Sequence, residues 1–435
     1  MKFYSTNNPN LKVDLRQAVT EGLAPDNGLY MPERIPKLSD DFFRSISEKS
    51  FGEIAFEVAS NLIGNDIPHA ELQRIIDHTI QFDAPLVPIE ENIYALELFH
   101  GPTLAFKDFG ARFMSRLLGY FANQQEKEIV ILVATSGDTG SAVANGFLEV
   151  PGTKVVVLYP SGKVSEIQEK QFTTLGKNIT ALEVDGTFDE CQTLVKKAFL
   201  DRELNAKLFL TSANSINIAR LIPQSFYFFY AYSRLPRNGK PIVFSVPSGN
   251  FGNLTGGLLA KQMGLPISRF VASTNINDVV PEYLASKRFN PRPSQQTISN
   301  AMDVGNPSNF ARILDLFGGD FELLSNVVSG FAFTDDQTQS AMRQVFSKSG
   351  YVMDPHGAVA YLGLKRFFQE TNSEVVGVFA ETAHPAKFNE VVEKTLDSRI
   401  EIPEKLVKFM ALSKKVIRMP ASYTHLKKLL LEELN

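Results

Sequence analysis

The sequence predicts an α/β protein with two parallel-sheet lobes, preceded by a mostly helical N-terminal region. Three observations carry this. Between residues 128 and 235, short β-branched runs alternate with helical patterns, the rhythm of βαβ units in a parallel sheet. A second set of buried strands begins near Pro241. Several of these strands run straight into glycine- and hydroxyl-rich loops and then into helices.

Residues 1–83 form the predicted N-terminal region. From Asp40 to Gly64, apolar residues recur at helical spacing (Phe51, Ile54, Ala55, Val58, Leu62), and Glu71 to Thr79 continues the pattern. Strand signals begin at 85–89 and 93–98, and a helix is predicted from Asp108 to Phe121. Strands are then expected at 129–133, 155–159, 179–184 and 208–210. These define a small substrate lobe at 128–235. Strands at 242–246, 269–273 and 375–379 place residues 84–127 and 236–435 in a larger lobe. The polar, turn-rich stretch 290–309 is expected to be an ordered loop near the cleft. The aromatic run 226–232 is expected in the core, and the lysine- and leucine-rich end in a helix.

With 435 residues and 44% hydrophobic composition, the chain is long enough for two or three domains with real cores. A net charge of −4 gives no support for binding nucleic acid or a membrane surface. No apolar run is long enough to span a bilayer, and no signal peptide is visible. The single cysteine, Cys191, excludes an internal disulfide and fits a packing role in a reducing compartment, so a cytoplasmic location is expected. No His/Cys cluster has metal-ligand spacing, so no metal is expected.

The segment 100–110, HGPTLAFKDFG, sets Lys107 between Phe106 and Phe109. Desolvation disfavours an ammonium, and a neutral amine can form a Schiff base with a carbonyl. By itself the segment also fits a lysine that lays its stem on apolar surface. Residues 245–257, SVPSGNFGNLTGG, follow a buried strand and precede a helix. Ser248, Gly249, Asn250, Phe251, Gly252 and Asn253 would gather backbone N–H groups at the positive end of that helix, a phosphate cradle. The loop matches neither the Lys-Ser/Thr ending of a nucleotide P-loop nor the Gly-x-Gly-x-x-Gly dinucleotide fingerprint. Residues 381–388, ETAHPAKF, follow another buried strand, where Thr382 offers a hydroxyl to a heterocycle nitrogen. His384, before Pro385, reads as a loop residue rather than a base. A desolvated lysine, a phosphate cradle and a hydroxyl at a strand end together match pyridoxal 5'-phosphate as cofactor.

A further strand enters the loop Thr135, Ser136, Gly137, Asp138, Thr139, Gly140, whose amides and hydroxyls could hold a second anion such as a substrate carboxylate. With this segment the chain resembles the threonine synthase family, of the tryptophan-synthase-β-like fold (fold type II). The matching pieces are HGPTLAFKDFG, ATSGDTGSA, NSINIARLIPQ, SVPSGNFGN, DPHGAVAY and TAHPAKF, together with the opening YSTNNPNLKVDLRQAVTEGLAPDNGLYMPERIP. The resemblance covers nearly the whole chain. It implies that Lys107 is the Schiff-base lysine, that Ser248 to Asn253 hold the cofactor phosphate, and that Thr382 meets the pyridine nitrogen. It also implies that Ser136 to Thr139 hold the substrate carboxylate. Asp138 stands where many relatives of the wider fold carry an asparagine.

Ser215, Asn217 and Arg220 could converge on a substrate phosphate, because a guanidinium forks onto phosphate oxygens. Arg220, Arg112 and Lys163 are the candidate cations. The activity implied by the resemblance converts O-phospho-L-homoserine and water to L-threonine and phosphate, the last step of threonine biosynthesis. A phospholyase, an amino-acid dehydratase or a catalytically silent cofactor-binding regulator would use many of the same residues. A small-molecule substrate and a monomer or small homo-oligomer are expected.

Overall fold

The computed structural model describes residues 1–123, 127–236, 238–372 and 374–433. Residues 124–126, 237, 373, 434 and 435 of the predicted large lobe lie outside the described residues.

Strands β1 (Phe3–Ser5), β2 (Asn8–Val13) and β3 (Tyr30–Pro32) form an antiparallel sheet of order β2-β1-β3. The N-terminal region carries more helix than strand, as expected, and at its start adds this sheet, which the sequence did not announce. Its strands are too short, and Asn8, Pro9 and Asn10 too polar, for an alternating pattern to show in the sequence. The helices that follow obey their local signals. Ser50 and Glu53 form a reciprocal capping box ahead of the helix Phe51–Ile63, whose apolar face is buried.

The larger sheet draws on β4 (Leu86–Glu90) and β5 (Ile93–Glu97). The smaller one draws on β6 (Ile129–Ala134), β7 (Thr153–Pro160), β8 (Ile179–Asp185) and β9 (Phe209–Ser212). The chain returns to the larger sheet through β10 (Ile242–Pro247), β11 (Arg269–Thr274), β12 (Val328–Ala332) and β13 (Val376–Glu381), and ends with β14 (Ile417–Pro420). The larger sheet has the order β12-β11-β10-β13-β5-β4 and is parallel except for β4, which pairs antiparallel to β5. The smaller sheet has the order β14-β8-β7-β6-β9 and is parallel throughout. Both cores follow from composition: every residue of β6, β10 and β13 is buried, as expected of strands covered on both faces.

The tail was assigned to the larger lobe, and the structure corrects this. β14 adds an edge to the smaller sheet beside β8, and Met419, Leu426 and Leu430 pack with Leu182, Val184 and Leu194. Only long-range pairing decides which sheet an edge strand of four residues joins.

The helix Lys107–Ala122 joins the two sheets. It packs on the helix Asp138–Phe147, where a side chain at Gly146 would stand 3.1 Å from the Ala111 backbone. The loop after residue 290 is ordered against the end of β11. The Asn275 amide donates to Thr297 Oγ1 at 2.8 Å and to Asp303 Oδ1 at 2.8 Å. The aromatic run is core, with Phe226, Tyr227, Phe228 and Phe229 fully buried. Cys191 is buried as well, and burial pushes its thiol up to about 12. Among the described residues no helix is long and apolar enough to cross a membrane, and no group of three His, Cys, Asp or Glu could hold a metal ion.

Candidate active site

Three segments meet where β13 ends. Ala105 bridges to Ala383, the Phe106 amide donates to the Thr382 carbonyl at 2.8 Å, and the His384 amide donates to the Leu104 carbonyl at 3.0 Å. This antiparallel clasp puts Lys107, the first residue of its helix, beside Thr382. Leu104 takes a left-handed conformation (φ 56°), a strained turn held by those bonds. Thr103 and Asp108 lock the same turn: the Asp108 carboxylate accepts from the Thr103 amide at 2.9 Å and from its hydroxyl at 2.6 Å. A side chain at Gly101 would collide with that carboxylate, so the glycine in this turn is required by contact.

The Lys107 side chain lies largely buried, with its Nζ 5.6 Å from the Phe106 ring centroid and 3.9 Å from Asp138 Oδ2. Burial is the main influence on this amine and lowers its pKa. Asp138 opposes the shift, and the positive charges of Lys387 and Arg220 add to it. The expected neutral amine thus has a physical basis in the fold.

β10 and β13 are neighbours in register, Ser245 opposite Phe379, so Ser248 and Thr382 leave the sheet side by side. After β10 the loop turns through Phe251 in a left-handed conformation (φ 61°) into the helix Gly252–Gln262. Among the described residues, the amides of Gly249, Asn250 and Phe251 have no acceptor, and those of Gly252 and Asn253 open the helix. Those five amides are the donors that the expected anion cradle requires. Gly249 is required by close approach: a side chain there would stand 2.7 Å from Met302 Cα and 2.8 Å from the Ala301 carbonyl.

The loop's side chains serve the scaffold. Ser248 differs from the expectation, because its amide donates to Ser273 O at 2.9 Å and its hydroxyl to Val246 O at 3.1 Å. The Asn253 amide group donates to Pro247 O at 2.7 Å. Asn250 donates to Ser215 Oγ at 2.6 Å and accepts from the Ser308 amide at 2.6 Å.

The loop after β6 divides in the same way. Thr135 was expected to face a ligand, but its hydroxyl accepts from the Gly137 and Gly140 amides at 3.0 and 2.8 Å and holds the loop's shape. Gly137, at φ 144°, needs its glycine, and a side chain there would meet Gln168 at 2.7 Å. Ser136 is exposed and Thr139 half-buried, and neither hydroxyl has a partner among the described residues. Asp138 is not free to meet an anion. Its Oδ1 lies 2.6 Å from Lys387 Nζ and accepts from Gln168 Nε2 at 2.8 Å. Burial opposes its ionisation, but the two lysines and the Gln168 amide outweigh burial and hold the carboxyl well below the usual range.

The candidates for a substrate phosphate separate clearly. Arg112 is excluded, because its guanidinium donates to His78 O and Gln81 Oε1 at the end of the helix His69–Thr79. Asn217 is also corrected: its side chain caps the helix Ile218–Leu221 through the Ala219 amide and donates to Val19 O. Lys163 lies exposed on the turn after β7. Arg220 is buried and uses Nη1 on Ala213 O at 2.6 Å, while its buried Nε has no hydrogen-bond partner among the described residues. Burial lowers its pKa to about 10, so it stays cationic at neutral pH. Ser215 stands within hydrogen-bond reach of the Asn250 side chain, so it borders the cradle.

Reasoning from sequence missed Lys387 and Gln168. Lys387 stood inside a matching motif, but no local pattern marks a lysine that becomes fully buried. His384, expected as a loop residue, accepts from the Ala386 amide at 3.1 Å and caps the short helix Pro385–Phe388. Burial pushes its pKa down to about 4, and that of His78 to about 4. The unfolded chain protonates these rings near pH 6.5 and the folded chain does not until about pH 4. Stability is therefore expected to fall as pH drops through that window. Asparagine at 384 can keep the cap and should reduce the loss between pH 7 and 4.5 by roughly 1–2 kcal/mol. Urea titrations at the two pH values measure it.

A buried amine at a helix start, a backbone-amide cradle and a hydroxyl at a strand end, between two parallel sheets, define a pyridoxal-phosphate-dependent enzyme of fold type II. Comparison with known proteins agrees. The family model described as pyridoxal-phosphate dependent enzyme matches residues 80–381. Those for the threonine synthase N terminus and C-terminal region match residues 2–80 and 357–430. Threonine synthase of Haemophilus influenzae is 47% identical over 409 residues, covering 94% of each chain. The crystal structure of threonine synthase from Escherichia coli superposes with a TM-score of 0.91 at 43% identity, covering 100% of both chains. A PLP-bound threonine synthase from Brucella melitensis gives 0.92 at 33% identity, over 99% of this chain and 98% of that one. The chain belongs to the threonine synthase family.

Proposed function

We propose that the protein converts O-phospho-L-homoserine and water to L-threonine and phosphate, with the residues above in defined roles. Lys107 anchors the cofactor through its amine and then takes and returns the proton at the substrate α-carbon. Its lowered pKa, set first by burial, supports both tasks. The amides of Gly249 to Asn253 would hold the cofactor phosphate, with Ser248 bracing the loop. The Thr382 hydroxyl would meet the pyridine nitrogen; a hydroxyl there, unlike a carboxylate, would leave that nitrogen largely unprotonated. Pyridoxal phosphate, when bound, supplies the electron sink for charge that develops on the substrate.

The Ser136 and Thr139 hydroxyls and the loop amides beside them bind the substrate carboxylate. Arg220 and Ser215 sit on the side of the site where the leaving phosphate would be neutralised. The single observation that carries the reading is the clasp of residues 104–106 on 382–384, which brings Lys107 and Thr382 together.

An end-point assay with O-phospho-L-homoserine tests this by quantifying released phosphate and amino acid together. Phosphate matched one-for-one by threonine is expected. Phosphate accompanied by a keto acid would make the protein a phospholyase, and no phosphate at all would remove the synthase reading.

A further inference from the structure

We propose that Lys387 is a positioning residue that takes the nearer oxygen of Asp138, so that this carboxylate reaches Lys107 only across a long ion pair without a hydrogen bond and the Lys107 amine stays free to react. The inference rests on the reading of Lys107 as the reactive amine. Lys387 lies on the short helix Pro385–Phe388, three residues after the clasp that ends with His384. Its side chain is fully buried, and its Nζ sits 2.6 Å from Asp138 Oδ1 and 2.8 Å from the Thr103 carbonyl. Gln168 donates to the same carboxylate oxygen. Oδ1 thus has two close donors, and Oδ2 is left 3.9 Å from Lys107, beyond a direct hydrogen bond.

Charge counting shows why this matters. A buried carboxylate must be paired, and two buried lysines face this one. If Lys387 were neutral, Lys107 would be the cation left to pair with Asp138, and as an ammonium it could attack nothing. The charged groups acting on Lys107 are Asp138, Lys387 and Arg220, and Arg220 is in turn influenced by Asp108. Asp138 is the one anion of the three, so Lys387 controls how much of its field reaches Lys107. A lysine that served only as a strut between Thr103 and Asp138 would brace the fold without tuning this amine.

Opposite-signed effects distinguish the two roles. In the full-length protein freed of cofactor, with circular dichroism matched to the holoenzyme, Lys107 is labelled with acetic anhydride across pH and followed by peptide mass spectrometry. K387M is expected to move the midpoint of the rate profile up, slowing labelling roughly tenfold at pH values below the wild-type midpoint. D138N is expected to move it down. The double variant D138N/K387M should fall between the two single variants. Capture of added pyridoxal 5'-phosphate, read by absorbance at fixed pH below the midpoint, should slow in K387M and recover in the double variant.

Midpoints that stay put, or that move the same way in both single variants, overturn the proposal. Should K387M not fold, D138N decides, and a midpoint unmoved or raised there overturns it. A wild-type Lys107 that pyridoxal phosphate fails to protect from label would instead refute its reading as the reactive amine.

Discussion

Alanine at position 107 is expected to lower turnover of O-phospho-L-homoserine by at least about 10³-fold, the range in which a positioned proton-transfer group contributes. The loss should fall on kcat. The cradle from Gly249 to Asn253 and the loop from Ser136 to Thr139 do not depend on this side chain for their hydrogen bonds. The fold should survive, since the turn before the lysine is locked by Thr103 and Asp108. Removing the amine also removes one of the two cations that stabilise the Asp138 carboxylate, but Lys387 remains on it. Steady-state assays with matched circular dichroism measure the effect. Activity above about a hundredth of wild type without added amines would contradict the assignment of Lys107.

Alanine at Arg312 should produce the largest loss of stability. Its side chain is fully buried. The guanidinium donates to Tyr30 O at 3.0 Å, Ser215 O at 3.2 Å, Ile216 O at 2.7 Å and Asn309 Oδ1 at 2.8 Å. It therefore ties the N-terminal sheet to the polar loop around Ser215 and to the loop that backs the cradle. Burial lowers its pKa to about 9, with Asp315 opposing, so it remains charged at neutral pH. Alanine strands these acceptors without a donor, and a loss of about 3–5 kcal/mol is expected by urea denaturation. Lysine should recover only part of it, because an ammonium cannot reach four acceptors spread around a planar fork. Cofactor affinity should weaken as well, since Asn309 donates to the Asn250 carbonyl at 3.1 Å. A loss under about 1 kcal/mol would mean that the three regions hold together without this residue.

Much of this was legible in the sequence. β6, β10 and β13 announced themselves as largely apolar runs, the first two ending in glycine loops, because strands covered on both faces carry few polar residues. That Lys107, Thr382 and the loop from Gly249 to Asn253 gather at one place was readable because each candidate follows from local chemistry: an amine among aromatics, a hydroxyl after a strand, amides at a helix start. Local sequence misleads where a residue's partner is distant. Arg112 looked free to bind an anion, but carbonyl and amide oxygens at residues 78 and 81 claim it. Asn217 looked like a ligand, but Val19 O, nearly two hundred residues away, takes its amide. Thr135 and Ser248 kept their places, but their hydroxyls went to neighbouring backbone.

By itself, then, the sequence determined the two sheets and the class of cofactor, and it singled out Lys107 as the lysine to test. Periodicity, turn chemistry and side-chain type are properties of contiguous residues and need no knowledge of the packed chain. The tertiary structure alone decided that the tail adds β14 to the smaller sheet, that a three-stranded sheet opens the chain, and that Lys387 meets Asp138. Each depends on contacts between segments far apart in sequence, where burial and charge pairing are set by what the fold brings near rather than by what stands beside the residue.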